Sequence, residues 1–283
     1  MTTRGGLFAA LVDDAGLFPP MQLPMLAAMN RHRADGKAGE PVLTHRFLCP
    51  ASAVSNLRDR LRPQEPWRLG LIVDVELSDL PHVLDAVAHD TRLELETVEL
   101  RLPGKDRPAH AVDAARAPLG STDASTYLEL APASPAVPDT LAACADRGFG
   151  AKIRCGGTTA AAFPTAAQLA GFLLAAVGLA VPFKATAGLH HAVRYQDPVT
   201  GFKHHGFLNL LVAVCHAVEG ADPKEVEAAL LIDDGPTLAA RARGVPDHTA
   251  TRARQLFVAY GSCSTSEPVD DLAGLGLLES RLA

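Results

Sequence analysis

Short apolar runs, many of them rich in β-branched residues, alternate along this chain with amphipathic runs rich in Ala and Leu. The alternation repeats about every 30 residues, and this spacing predicts strands of a parallel sheet, each followed by a helix. Eight runs have the length and composition of strands. They cover residues 7–12, 42–48, 69–75, 97–102, 126–130, 151–155, 182–187 and 256–260.

Helices are predicted between the strands, where apolar positions recur at helical spacing. The connection from residue 187 to residue 256 is much longer than one strand–helix unit. Its polar loop at 194–205 predicts an elaboration that covers the barrel mouth. The helices are predicted at residues 21–32, 51–61, 79–88, 137–147, 165–180, 206–218, 223–231 and 246–254.

Eight parallel strands that alternate with helices favour a closed (β/α)8 TIM barrel. An open doubly wound sheet usually has fewer strands and a glycine-rich first turn, and residues 13–20 lack that motif. No low-complexity linker or internal repeat is visible in the sequence. We therefore expect one α/β barrel domain over residues 1–283, with an elaborated last crossover.

Composition limits the classes of function. The 283 residues are 48% hydrophobic and 20% charged, as in an ordinary globular protein with a large core. The formal net charge of -6 provides no positive field for a nucleic acid backbone. We expect a small anionic molecule as the partner, neither nucleic acid nor a membrane, and a homo-oligomer is left open.

Cysteine usage and apolar segments bear on location. Five cysteines, an odd number without a C-x-x-C pair, argue against a disulfide framework and indicate a reducing cytoplasm. Residues 1–12 are too short for a signal peptide, and none is expected. The apolar stretch at 160–181 contains Pro164 and Gln168, so we interpret it as a buried helix rather than a membrane span.

Catalytic side chains of barrels come from the C-terminal ends of the strands and the loops after them. Charged residues are abundant there in this chain. One interpretation is that they pair around a solvent-filled pocket; the alternatives are ion-pair layers inside the barrel or side chains that face the helices. Period-two alternation groups Glu99 with Arg101, Lys152 with Arg154 and Lys184 with Thr186, and the set also includes Arg46, Asp74, Glu129, Asp13 and Asp14.

Two lysines have the pattern of an activated pair. Lys152 and Lys184 lie on adjacent predicted strands, about 4.8 Å apart, each in a segment that ends in glycine. Repulsion between them and Arg154 predicts a lowered amine pKa. A neutral lysine attacks a carbonyl carbon to form a Schiff base, which lets a carbanion form on the neighbouring carbon.

The turn that ends the eighth strand contains small residues of the kind that bind phosphate in barrels. Together with the segments around Lys152 and Lys184, it resembles class I (Schiff-base) aldolases of the deoxyribose-phosphate aldolase type. The resemblance implies a Schiff-base lysine at Lys152 and a pKa lowered by Lys184. It also implies phosphate held near Gly188, Gly261 and Ser262.

The chain departs from that family at two places. Arg154 and a glycine pair stand where the family has hydroxyl residues, and His190 and His191 follow the seventh strand. The roles of the two lysines can also be exchanged. Residues 183–191 and 206–209 are similar, in addition, to an uncharacterised bacterial barrel family.

Four histidines are predicted to cluster over the barrel mouth, as two adjacent pairs on either side of the polar loop. With carboxylates or Cys263 they are able to complete a zinc or iron site. Helix capping, pairing with acidic side chains and general acid–base catalysis are the alternatives. We expect no cofactor, and the alternative is a divalent metal ion. Its predicted ligands are His190, His191, His205 and Glu129.

The leading hypothesis is a lyase of the aldolase type that acts on a small anionic carbonyl compound through a lysine Schiff base. The alternatives are a metal-dependent lyase or hydrolase, and a non-catalytic barrel that binds an anionic metabolite. Lys152 is the predicted nucleophile, Lys184 and Arg154 set its pKa, and Glu129 or Asp74 moves protons. Substrate contacts are predicted from Arg46, Glu99, Arg101, Thr186, Gly188, Gly261, Ser262 and His190.

Overall fold

The computed structural model describes residues 6–102, 108–131 and 133–278 of the chain. Its centre is a closed barrel of eight parallel strands, with a two-stranded antiparallel sheet outside it. The barrel strands are β1 (Val12–Asp14), β2 (Leu43–Pro50), β3 (Trp67–Ile72), β4 (Leu93–Arg101), β5 (Ser125–Leu130), β6 (Gly150–Arg154), β7 (Phe183–Thr186) and β10 (Phe257–Ser262), and the small sheet pairs β8 (Tyr195–Gln196) with β9 (Lys203–His204).

The strand order around the barrel is β1-β10-β7-β6-β5-β4-β3-β2. Helices alternate with these strands, so the predicted α/β class and the (β/α)8 TIM barrel are confirmed. The helices are α1 (Met25–Ala38), α2 (Val54–Arg58), α3 (Leu80–Ala88), α4 (Pro108–Arg116), α5 (Val137–Arg147), α6 (Ala166–Gly178), α7 (Phe207–Val218), α8 (Pro223–Leu231), α9 (Gly235–Arg243), α10 (Asp247–Leu256) and α11 (Ser266–Gly274).

The first strand differs from the prediction. We expected it at residues 7–12, but β1 covers Val12–Asp14. Leu7 and Phe8 are buried in the hydrophobic core just before the strand, so their apolar character reflects packing rather than strand pairing. As a result, Asp13 lies on the strand itself instead of in the turn after it.

Several helix boundaries also differ from the pattern. Helix α1 begins later than predicted because Pro24 precedes it, and it ends at Gly39, which adopts a left-handed conformation with φ of 65°. Helices α4, α9 and α11 were not predicted. The Asp234 carboxylate caps α9 by accepting a hydrogen bond from the Thr237 amide.

Aromatic side chains fill the layer between the strands and the helices. The ring of Phe183 lies 5.3 Å from the ring of Phe172 and 5.2 Å from that of Phe257, measured between centroids. Tyr260 stacks on Phe207 of α7 at 5.2 Å. These rings fill the space between the strands and the helices. The interior of the barrel is occupied by the polar residues described below.

The segment Ala160–Gly178 is long and apolar enough to cross a membrane by length and composition alone. In the fold, its helix α6 packs against α5, α7 and α8 and buries Leu169, Phe172 and Leu173. This packing agrees with the interpretation of the segment as a helix of a soluble barrel. A cytoplasmic location stays a prediction.

The long last crossover contains β8, β9 and helices α7 to α10. Asn209 holds its parts together from a fully buried position on α7. Its amide nitrogen donates to the carbonyl oxygens of Ala229 and Ile232, at 3.0 and 2.7 Å, and its oxygen accepts from the Arg194 amide at 2.8 Å. One side chain therefore connects the root of the β8–β9 hairpin with α7 and the end of α8.

We expect Asn209→Ala to lower the free energy of unfolding by about 1–3 kcal/mol, because it removes three hydrogen bonds to backbone groups at buried or partly buried positions. Urea unfolding followed by circular dichroism measures the change. The matched control is Asn56→Ala, which removes an exposed side chain and is expected to stay within about 0.5 kcal/mol of the parent protein. Equal shifts for both variants contradict the assigned role of Asn209.

Candidate active site

A chain of alternating charges crosses the inside of the barrel. The Lys184 Nζ lies 2.6 Å from Asp13 Oδ2 and also donates to Glu99 Oε1. The other oxygen of Glu99 lies 2.9 Å from the Nζ of Lys152, which in turn lies 3.2 Å from Glu129 Oε2. These five residues are called the charged floor below. Its members come from β1, β4, β5, β6 and β7, so it depends on closure of the barrel.

Further cations extend the charged floor at both ends. Arg46 donates to Asp13 Oδ1 at 2.9 Å and to Glu96 Oε2 at 2.7 Å. At the other end the Nε of Arg154 donates to Glu129 Oε1 at 3.1 Å. Arg101 approaches the same oxygen at 3.7 Å, but its side chain is 79% exposed. Arg101 therefore makes the loosest contact of the network.

The two lysines do not repel each other directly, because Glu99 lies between them. Burial disfavours the charged form of Glu99, but the charges of Lys152 and Lys184 outweigh this effect and lower the pKa of the carboxyl to about 2. Burial likewise disfavours charge on Lys184, but Asp13 and Glu99 outweigh it and raise the pKa of the amine. The prediction of a lowered lysine pKa is therefore wrong for Lys184.

A cavity of about 1110 Å³ opens at the C-terminal ends of the strands. Lys152, Glu99 and Glu129 line this cavity, whereas Lys184 is 1% exposed and lies outside the lining. Arg101, Arg154 and Thr186 line it as well, as predicted. The cavity thus distinguishes the two lysines, which the sequence left interchangeable.

The small residues after β7 and at the end of β10 also reach the cavity. Gly188 has a φ of 72°, and an added Cβ there would lie 2.7 Å from the carbonyl oxygen of Cys155. Glycine is therefore required at this position by backbone conformation and close packing. Ser262 is 3% exposed, and its hydroxyl has no hydrogen-bond partner among the described residues. Of this group, Ser262 offers a free polar side-chain atom, while Gly261 adjoins Leu48 and Ala15.

Two predicted site residues have structural contacts instead. Both oxygens of Asp74 accept hydrogen bonds from Ser52, at 2.9 Å from its amide and 2.6 Å from its hydroxyl, at an exposed position on the cavity rim. Asp74 is therefore occupied by the turn after β2 and is not part of the charged floor. Arg46 lies below the cavity lining, where it neutralises Asp13.

Three of the four histidines, His190, His191 and His204, line the cavity at the barrel mouth, but the predicted ligands do not form a metal site. His205 is 1% exposed and its Nε2 lies 2.8 Å from the carbonyl oxygen of Pro164. His191 pairs with Asp271 at 3.3 Å. Within the described ranges, no group of three His, Cys, Asp or Glu side chains is arranged to hold a metal ion. The predicted ligand set His190, His191, His205 and Glu129 is therefore not assembled in this structure.

Several site residues were not anticipated. The pairing of Asp13 with Lys184 was missed because the predicted first strand ended at residue 12, which put Asp13 in the turn after it. The predicted fourth strand began at residue 97, so Glu96 was overlooked. Tyr195 and Phe202 line the cavity from the polar loop. The sequence contained a signal for Tyr195 and Phe202, because aromatic residues make up only 5% of the chain and two of them fall within this loop.

Comparison with known proteins returned no match from the family models, the curated proteins or the solved structures. The resemblance to Schiff-base aldolases therefore stays a prediction.

Ionisation of Glu99 is expected to stabilise the fold in a defined pH range. Its pKa falls from an ordinary value of 4.5 to about 2, so its contribution is complete above pH 4.5 and is lost as the pH falls towards 2. We expect Glu99→Gln to show a weaker fall in thermal unfolding temperature over this range than the parent protein. Glu94→Gln, on the exposed side of the same strand, serves as the control and should keep the parent slope. Identical slopes for all three proteins would contradict the assignment.

Proposed function

We propose that the protein is a lyase of the aldolase type that acts on a small anionic carbonyl compound through a Schiff base on Lys152. The observation that carries the proposal is the placement of Lys152 on the charged floor, lining the cavity, with its Nζ beside two carboxylates. Side chains that move protons next to an accessible amine are what imine chemistry requires.

Lys184 has a different role in this proposal. Its side chain is buried below the cavity, and the carboxylates of Asp13 and Glu99 favour the charged form of its amine. A permanently protonated amine is not a nucleophile. Lys184 instead holds Glu99 in place and, with Lys152, favours its ionised form.

The reaction begins with loss of a proton from Lys152, because its resting contacts are those of an ammonium group. Glu129, 3.2 Å away and facing the cavity, takes this proton and passes it to water. The Nζ lone pair then attacks the substrate carbonyl carbon, and the π electrons of the C=O bond move to oxygen. One proton from the nitrogen and one returned by way of Glu129 convert that oxygen to water, which leaves, and a C=N⁺–H group remains.

The iminium accepts the electron pair of the bond to be broken. Cleavage of the carbon–carbon bond moves its electrons into the C=N⁺ group and gives an enamine, while the hydroxyl on the departing carbon loses its proton to Glu129 and becomes the carbonyl of the released fragment. Glu129 returns that proton to the enamine carbon, which becomes C–H. Hydrolysis of the imine then releases the second product, regenerates the Lys152 amine and takes up the water released when the imine formed, so there is no net consumption of water.

An anionic substrate is favoured by two arginines at the cavity. Arg101 and Arg154 line the cavity, and Arg101 is held only loosely by Glu129. The unpartnered Ser262 hydroxyl offers a further hydrogen bond to an anion.

One observation favours a second candidate, a barrel that binds an anionic metabolite without catalysis. Both lysines are ion-paired, and the pKa of Lys184 is raised rather than lowered. A rigid ion-paired floor of this kind, with Arg101 and Arg154 on the cavity lining beside it, is sufficient for binding. Formation of a covalent adduct separates the two functions.

Borohydride reduction tests the proposal. The protein is treated in the presence of aldehydes, ketones and keto acids, and the modified residue is mapped by mass spectrometry. We expect a stable secondary amine at Lys152, no adduct in Lys152→Met, and an unchanged yield in Lys224→Met, which removes an exposed lysine of α8. An adduct confined to Lys184 would reverse the assignment of the lysines. Absence of any adduct, together with measurable binding of the keto acids, would support the binding barrel.

A further inference from the structure

One part of the cavity lining is aromatic rather than charged. Phe163, Tyr195, Phe202, His190 and His204 all line the cavity, and they are called the aromatic wall below. The ring of Phe163 lies 5.1 Å from that of Phe202 and 4.7 Å from that of His204. Tyr195 stacks on His204 at 4.8 Å with the planes 22° apart, and His190 lies 5.9 Å from His204.

The aromatic wall is built into the fold. Tyr195 and His204 face each other as register partners of the β8–β9 hairpin. The hairpin turn is closed by Asp197, whose Oδ1 accepts hydrogen bonds from the amides of Val199 and Thr200, at 2.9 and 2.7 Å. Its root is tied to α7 by Asn209. The rings are therefore positioned before a ligand arrives.

Two members of the aromatic wall, His190 and Tyr195, favour their neutral forms. Burial, with the nearby charges of His204 and His191, lowers the pKa of His190. Burial raises the pKa of Tyr195 to about 12, so its phenol keeps its proton. His204 is held by the carbonyl oxygen of Gly188, 3.1 Å from its Nδ1. Such a surface offers flat ring faces to a planar group.

Two observations indicate that the rings serve a ligand and not merely the hairpin. Phe163, Tyr195 and Phe202 remain half-buried, whereas the structural rings Tyr260 and Phe257 are fully buried. The cavity of about 1110 Å³ also exceeds the roughly 300–1000 Å³ of typical ligand pockets. A carbonyl compound of a few carbon atoms would leave much of this space, including the aromatic wall, without contact.

We infer that the substrate is an aryl-substituted anionic carbonyl compound, with its carbonyl carbon at Lys152 and its aromatic ring against the aromatic wall. The position of the carbonyl rests on the proposed function. The ring subsite rests on the aromatic wall alone, so the two are tested separately.

A ligand without a carbonyl tests the ring subsite. Binding of 3-phenylpropanoate, 3-cyclohexylpropanoate and propanoate is measured by calorimetry on the full-length protein. We expect 3-phenylpropanoate to bind about tenfold or more tightly than propanoate, and more tightly than the cyclohexyl compound, because stacking needs a flat ring. Equal affinities for the three acids would overturn the inference without any variant.

Variants locate the subsite. Phe202→Leu keeps apolar volume but removes a ring, and we expect it to weaken 3-phenylpropanoate binding about fivefold while propanoate binding is unchanged. Val199→Ala is the matched control, since Val199 is 91% exposed at the tip of the same hairpin. Unchanged binding in Phe202→Leu would overturn the assignment of the aromatic wall as the subsite.

Borohydride trapping with 3-phenylpyruvate and pyruvate separates this inference from the proposed function. We expect more adduct at Lys152 with 3-phenylpyruvate at limiting concentration, and loss of that preference in Phe202→Leu. Binding of 3-phenylpropanoate without any adduct would overturn the Schiff-base mechanism and support the ring subsite. Equal trapping of both keto acids by parent and variant would support the mechanism and overturn the subsite.

Discussion

The contact on which the interior depends is the bridge that Glu99 makes between Lys152 and Lys184. Three charges in the middle of a barrel are tolerated only when each has a partner, because an unpaired buried charge costs several kcal/mol. Glu99 meets this requirement for both lysines, and Asp13 and Glu129 complete it at the two ends. The closed barrel is what brings these side chains, distant in sequence, into one line.

This bridge also gives the two lysines different positions: Lys184 carries a structural charge, and Lys152 is the lysine whose protonation changes in the proposed reaction. If Lys152 loses its proton, Glu99 is still neutralised by Lys184, whose Nζ also contacts Asp13. The cost of a neutral Lys152 is therefore met locally, without leaving a bare carboxylate in the core. Under the proposed function, Lys184 serves as a fixed counter-charge and the cavity-facing Lys152 takes part in proton transfer.

Much of this arrangement is readable from the sequence, for identifiable reasons. Period-two alternation correctly groups Lys152 with Arg154 and Glu99 with Arg101, since inward and outward positions are strict in a strand. The predicted direction of the Lys184 pKa shift is wrong, because the distance between two strands does not tell which side chain lies between two cations. The predicted set of metal ligands is not assembled for a related reason. His191 pairs with Asp271 of α11 and His205 lies beside the carbonyl oxygen of Pro164, and positions in a loop alone do not reveal these contacts.

The charged and the aromatic residues of the cavity lie in different parts of the fold. The charged floor lies on barrel strands, whereas the aromatic wall comes from the hairpin between β7 and α7 and from the loop after β6. Strand positions are constrained by barrel closure, but hairpins accept substitution and changes of length at smaller cost. Substitutions in the hairpin and the loop can therefore change the mouth of the cavity while the charged floor stays the same. Ligand preference can then diversify during evolution without loss of stability of the barrel.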